Sequence, residues 1–136
     1  MSISDSHIGD VDQVKPGKAG FKRVIDATVY SFKGFRAAYK HEAAFRQELA
    51  MACVAIPIAA FIAESALQFL ALSMPMLLIL LAELANSAIE ALADRISEEH
   101  NELSGRAKDM GSALVFVSLC IAGISWLVIL ADLYIF

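Results

Sequence analysis

Four polar residues near the end of a long apolar stretch have the spacing that chemistry on one helix face requires. Glu83, Asn86, Glu90 and Asp94 follow one another at i, i+3, i+7 and i+11, which places them within a stripe of about 80° on an α-helix. Three carboxylates on one face cannot all stay ionised near a membrane unless positive charge neutralises them. A single divalent cation is the simplest source of that charge. Carboxylate oxygens suit Mg²⁺, which often takes one or two carboxylates together with substrate phosphates.

Glu83 is the deepest member of this stripe, because it follows directly on residues 65–82, which carry no charge. An ionisable group at such a depth is costly and usually functional. Glu83 is therefore the candidate general base, with Asn86 and Asp94 in supporting roles. The alternative is structural: Glu83 and Asn86 could bond across a helix interface and serve only to fix packing.

The segment that follows the stripe adds acids and bases near the same helix end, just before residue 110. Its charged residues include Glu98, Glu99, Glu102, Arg106, Lys108 and Asp109. Such a mixture could hold a metal-bound polyphosphate, although a solvated charge cluster is the ordinary interpretation of this pattern alone. Ser104-Gly105 predicts a helix break within this connector.

The elements that must position these residues are too apolar for an ordinary soluble protein, since 58% of the chain is hydrophobic and only 19% is charged. Residues 49–63, 65–82 and 110–131 contain no Asp, Glu, Lys or Arg. A bilayer core needs roughly 17–25 helical residues, so the second and third runs are long enough to span it. The first run is short and contains Pro57, but we also predict it to span.

The basic residues give the orientation of these spans. All 11 Lys and Arg lie within residues 15–46 or 95–108, and such blocks usually face the cytoplasm. The pattern predicts a cytoplasmic N-terminus and a periplasmic or external C-terminus. Between 21 and 47, apolar Val24, Val29 and Phe35 recur at helical spacing among basic residues, which indicates an amphipathic helix on the membrane surface.

The predicted fold is thus an all-α membrane protein with three transmembrane helices and an N-terminal amphipathic surface helix. The predicted segments are a flexible tail at 1–19 and a membrane domain at 20–136, divided into the surface helix (about 21–47), spans at about 48–64, 66–93 and 110–132, and a cytoplasmic connector at about 94–109.

Three motifs are similar to those of the prokaryotic diacylglycerol kinases: residues 42–48 (EAAFRQE), 83–90 (ELANSAIE) and 102–112 (ELSGRAKDMGS). The resemblance keeps register from residue 21 to about 130. It implies transfer of the γ-phosphoryl group of Mg-ATP to the primary hydroxyl of diacylglycerol, giving phosphatidic acid, at the cytoplasmic face of the cell inner membrane. It also implies Mg²⁺ as cofactor, a homotrimer with active sites shared between subunits, and no nucleic-acid partner.

The resemblance assigns roles residue by residue. Glu83 resembles the catalytic base, and Glu42 and Glu90 resemble the metal-holding carboxylates. The positions that match nucleotide contacts are Arg23, Tyr30, Glu42, Glu90, Glu99, Lys108 and Asp109. The positions that match the lipid cleft are Arg23, Arg46, Gln47, Glu48, Glu83, Ser112 and Trp126. The chain has His100-Asn101 where the family often has a His directly before Glu102, so a nucleotide contact from Asn101 stays open.

Three other interpretations remain at this stage. An undecaprenol kinase would share the fold and the chemistry but phosphorylate a polyprenol. A non-catalytic small membrane protein would use Glu83 and Asn86 only for helix packing. A transporter subunit ranks last, because the polar groups gather at one interface instead of crossing the membrane.

Overall fold

The described part of the chain, residues 20–96 and 101–135 of a computed structural model, is built from α-helices. In chain order these are α1 (Phe21–His41), α2 (Ala43–Ile62), α3 (Ala66–Ile96) and α4 (Glu102–Tyr134). The last three are long and apolar enough to cross a membrane, with mean hydropathies of 1.5, 2.0 and 2.6 over their most apolar windows. The predicted all-α membrane fold with three spans is confirmed.

The chain divides into two compact units between Lys33 and Gly34, inside α1. The described part of the first unit is the start of α1, where large apolar side chains such as Phe21, Val24 and Phe32 are exposed. A membrane-surface position for this helix stays a prediction. The predicted tail, residues 1–19, lies outside the described residues, and the division into tail and membrane domain also stays a prediction.

The second unit begins with a sharp bend between α1 and α2. Glu42 has extended backbone angles (φ −105°, ψ 116°) and separates the two helices, so α1 ends at His41 instead of continuing to about residue 47. Two interactions hold the bend. Arg46 Nη1 donates to the carbonyl of Tyr39 at 3.0 Å, and the rings of Phe35 and Phe45 lie 6.5 Å apart between centroids.

α3 is the central helix of the second unit, because it packs against both α2 and α4 and most extensively against α4. Its Leu72 and Ile79 are fully buried, and Ile79 packs in a cluster with the small residues Ala52 and Ala122. Small side chains let helices approach closely, which is how transmembrane helices gain packing energy without a hydrophobic driving force.

Hydrogen bonds between α3 and α4 hold the two helices together in the half of the bundle that lies away from Glu83 and Glu90. Trp126 Nε1 donates to the carbonyl of Leu72 at 3.1 Å, and Ser125 Oγ donates to the carbonyl of Ala71 at 2.5 Å. Gln68 Nε2 donates to Asp132 Oδ2 at 3.3 Å. Each bond joins the helices across their interface, so the two helices are fixed in register.

α4 begins at Glu102, well before residue 110, so much of the predicted connector is helical. The break expected at Ser104-Gly105 is therefore wrong. The side chain of Asn101 explains the early start, because its Oδ1 accepts from Leu103 N at 2.9 Å and caps the helix. Residues 97–100 lie outside the described residues.

Replacing Asn101 by Ala should lower the free energy of unfolding by about 1 kcal/mol, because the first turn of α4 loses its cap. Asn101→Ser and Asn101→Asp keep a side-chain oxygen and should keep most of that stability. The measurement is the thermal unfolding midpoint of the purified protein in detergent micelles. An equal loss in all three variants would mean that Asn101 stabilises the protein by something other than capping.

Candidate active site

Glu83 lies in the middle of a group of acids contributed by α2, α3 and the bend between α1 and α2. Its side chain is only 4% exposed, and its carboxylate is close enough to Glu42 and Glu90 to be repelled by both. Glu48 of α2 is in turn repelled by Glu83. The structure therefore brings together four acids that are spread over nearly fifty positions of sequence.

Glu42 reaches this group because the chain bends at that residue. Its extended backbone occupies the N-cap position of α2, but its side chain makes no capping hydrogen bond. The carboxylate is therefore left for other partners. Glu48 lies further along α2, and its Oε2 is buried without a hydrogen-bond partner among the described residues.

Asn86 connects the stripe of α3 to Glu90. Its side chain is buried, and Nδ2 donates to Glu90 Oε1 at 3.0 Å. Within the described residues, Asn86 Oδ1 and the hydroxyl of the next residue, Ser87, are buried without a partner. Buried polar atoms are rarely left unpaired, so the helix keeps these two atoms at a cost in stability.

Lys108 brings a positive charge from α4 to the outer end of the stripe. Its Nζ lies 2.5 Å from Asp94 Oδ1, and both side chains are substantially exposed. Glu90 also attracts this ammonium group. Asp109, the next residue, is exposed. The predicted supporting residue Asp94 thus acts on Lys108, at the point where the site opens to solvent.

Among the other predicted residues, Trp126 lies far from the acids. Trp126 lies 14 residues beyond Ser112 on α4, a rise of about 20 Å along the helix. Arg46 is engaged with Tyr39 at the bend. Gln47 and Ser112 are exposed.

Three more predicted residues cannot be placed against the acids. Arg23 and Tyr30 belong to the first unit, where the Tyr30 ring lies 5.5 Å from Lys33 Nζ. Glu99 lies outside the described residues.

An apolar groove of about 720 Å³ runs between α2, α3 and α4. It is lined by Met51 and Val54 of α2, Met76 and Ile79 of α3, and Trp126 of α4, among others. Ile79 precedes Glu83 by one helical turn, so the groove leads toward the buried carboxylate. Except for Trp126, these residues were not predicted, because inside a span nothing in the sequence separates an apolar side chain facing a groove from one facing lipid.

The carboxylates fit a magnesium ion held jointly with a nucleotide. Among residues 20–96 and 101–135, no three His, Cys, Asp or Glu side chains come close enough to hold a metal by themselves. Mg²⁺ does not need such a cage, because it commonly binds one or two carboxylates and takes its other ligands from phosphates and water. Glu42 and Glu90, which lie on either side of Glu83 along the chain and both act on its charge, can supply such a pair.

The sequence profile of the family described as prokaryotic diacylglycerol kinase matches residues 29–130. The chain belongs to this family. A diacylglycerol kinase from Escherichia coli (strain K12) is 48% identical over 82% of the chain and 91% of the relative. One from Haemophilus influenzae is 47% identical over 79% and 91%, and one from Pseudomonas aeruginosa is 46% identical over 84% and 93%. The predicted resemblance is confirmed, and with it the prediction that the chain is a diacylglycerol kinase.

Replacing Glu83 by Gln should stabilise the nucleotide-free protein by about 0.5–2 kcal/mol, because it removes charge repulsion at a buried site that is held for function. The measurement is the thermal unfolding midpoint in detergent without divalent cations. Glu64→Gln is the control, since Glu64 is an exposed acid at the turn between α2 and α3, and it should leave the midpoint unchanged. A lower midpoint for Glu83→Gln would support the packing role.

Proposed function

We propose that this protein transfers the γ-phosphoryl group of ATP to the primary hydroxyl of diacylglycerol, giving phosphatidic acid and ADP. The observation that carries the proposal is the position of Glu83, a buried acid that lies beside other carboxylates and one helical turn beyond Ile79, which lines the apolar groove. Membership of the prokaryotic diacylglycerol kinase family supports the same reaction. A lipid acceptor fits this arrangement because its chains and its hydroxyl need different surroundings.

Glu83 acts as the base in this proposal. Its carboxylate accepts the proton of the lipid hydroxyl as that oxygen forms a bond to the γ-phosphorus and the bond from this phosphorus to the β,γ-bridging oxygen breaks. Burial keeps bulk water from competing with the lipid hydroxyl for the phosphoryl group. Phosphoryl transfer asks little covalent work of the protein, so positioning and charge stabilisation supply most of the catalysis.

Glu42 and Glu90 hold Mg²⁺ in this proposal, and Asn86 orients the Glu90 carboxylate through the 3.0 Å hydrogen bond. When bound, the metal neutralises the phosphate charges that develop during transfer. Lys108 and Asp109 contact the nucleotide at the exposed end of the stripe. Lys108 is suited to this role because Asp94 holds its ammonium group beside Glu90.

The apolar groove holds an acyl chain of the lipid in this proposal, with Trp126 at its distant end. Arg46, Gln47, Glu48 and Ser112 contact the polar part of the lipid near Glu83. In this proposal Trp126 lies far from the acids because it contacts the acyl chain, whereas the acids lie near the reacting hydroxyl. An apolar chain fills the groove, and only the hydroxyl reaches the carboxylate.

The proposed setting is the cell inner membrane, with the active site and the N-terminus on the cytoplasmic side, where ATP is available. The clustering of basic residues in 15–46 and 95–108 supports this orientation. We further propose a homotrimer in which neighbouring subunits complete each active site. The unpartnered buried atoms of Glu48 and Ser87 support completion of the site by another chain or by substrate.

The reaction can be tested in mixed micelles with γ-³²P-labelled ATP, Mg²⁺ and either dioleoylglycerol or undecaprenol. We expect labelled phosphatidic acid from dioleoylglycerol, no label without Mg²⁺, and a loss of about 10²–10⁴-fold in kcat for Glu83→Gln, because a general base contributes that much. Glu64→Gln should keep full activity. Label on undecaprenol alone would change the acceptor to a polyprenol, and no label in either lipid from folded protein would overturn the kinase proposal.

A bulky side chain in the groove should weaken the binding of long-chain diacylglycerol more than that of short-chain diacylglycerol. Val54→Trp places a large side chain among the lining residues, so KM for dioleoylglycerol should rise more than KM for a short-chain diacylglycerol, with KM for ATP unchanged. Val117→Trp is the matched control, because Val117 is similarly exposed (54%, against 61% for Val54) and does not line the groove. Equal effects of the two variants would mean that the lipid chain lies elsewhere.

A further inference from the structure

Gly111 of α4 lies so close to Asn86 of α3 that a larger residue at position 111 would force Asn86 to shift. A Cβ atom at position 111 would overlap Asn86 Oδ1 and would also lie 3.4 Å from its Cγ and 3.5 Å from its Cα. Gly111 is buried and lies inside α4. The space that a side chain would fill at position 111 is thus occupied by the amide of Asn86.

Asn86 has little freedom to give way. Its side chain is buried, is only two bonds long between Cα and the amide carbon, and already donates from Nδ2 to Glu90 Oε1 at 3.0 Å. A methyl group at position 111 would push the amide away from α4 and break that bond. The Cα of Asn86, at 3.5 Å, would be in ordinary contact with that methyl group, so the amide is the part that must move.

The effect would not be general to glycines in α4. A Cβ at Gly105 or at Gly123 would meet no atom within 4 Å. Glycine inside a helix costs about 1 kcal/mol relative to alanine, so alanine at those two positions should favour the helix. Of these three glycines, only Gly111 lies so close to a residue of the site that an added Cβ would overlap it.

We propose that Gly111 is a positioning residue of the active site, which acts through Asn86 to hold the Glu90 carboxylate in the geometry that binds the metal–nucleotide complex. The proposal rests on the function proposed above, since it takes Glu90 as a metal ligand. The effect passes through Asn86. Because position 111 has no side chain, the Asn86 amide can occupy the space against α4 and donate to Glu90 Oε1. The other oxygen of Glu90 is then available to the cation.

The test compares Gly111→Ala, Asn86→Ala, the double variant and the control Gly105→Ala with the wild type, each as the full chain in detergent micelles. Binding of Mn²⁺ with a non-hydrolysable ATP analogue is followed by the loss of the free-Mn²⁺ electron paramagnetic resonance signal. Unfolding midpoints and the KM and kcat values for lipid phosphorylation are measured on the same samples.

We expect Gly111→Ala to weaken Mn²⁺ binding about 10–100-fold, the usual effect of losing a residue that orients a metal ligand, and to lower kcat without changing KM for the lipid. Gly105→Ala should do neither. The double variant should bind Mn²⁺ as Asn86→Ala does, because the methyl group then has no amide to displace. Gly111→Ala should lower the unfolding midpoint in the wild type but raise it in the Asn86→Ala background.

Wild-type Mn²⁺ affinity in Gly111→Ala would overturn the proposal, as would effects of the two substitutions that simply add in the double variant. Whether Gly111→Ala lowers the unfolding midpoint of the wild type and raises that of Asn86→Ala decides whether Gly111 acts through Asn86. This measurement does not depend on lipid phosphorylation. Failure of the wild type to phosphorylate lipid would instead count against the proposed function. If Gly111→Ala does not fold, recovery of folding in the double variant still supports the coupling.

Discussion

The rest of the structure depends on keeping the carboxylate of Glu83 buried among other acids. An ionisable group that directly follows a long apolar run of a membrane helix is expensive, and Glu83 is only 4% exposed and is repelled by Glu42 and Glu90. Such an arrangement persists only if the surrounding packing holds it. The close contact of α3 with α2 and α4, and the hydrogen bonds from Ser125 and Trp126 to the backbone of α3, supply that support far from the charges.

The residues on α3 could be predicted because helical periodicity alone places Glu83, Asn86, Glu90 and Asp94 on one face. The three spans could be predicted because uncharged runs of sufficient length have no other stable location. Glu42 was assigned to the site through the resemblance, but the bend that brings it there was not expected. No Gly or Pro stands at positions 41–43, and the bend is held by Arg46 and the Phe35–Phe45 contact, which are properties of the folded chain.

The groove and the contact between Gly111 and Asn86 could not be predicted, for a related reason. Both depend on the register of one helix against another, and apolar or small residues in a membrane span have the same appearance in sequence whether they face lipid, a neighbouring helix or a cavity. The start of α4 was missed for a different reason, because the charges between Glu102 and Asp109 suggested a polar connector. Capping by Asn101 makes this segment the first turns of the helix that also carries Lys108 and Gly111.

An asparagine suits position 86 for reasons of size and of chemistry. A longer side chain would extend beyond the space at Gly111, whereas a carboxylate of the same size would add repulsion to Glu90 instead of donating to it. The amide donates to Glu90 and leaves Oδ1 buried and unpaired among the described residues, which costs stability. The unpaired amide oxygen and the repulsion around Glu83 both make the substrate-free protein less stable than its helix packing alone would make it. A bound cation would relieve part of the repulsion among the carboxylates, so substrate binding and stabilisation of this end of the bundle are coupled.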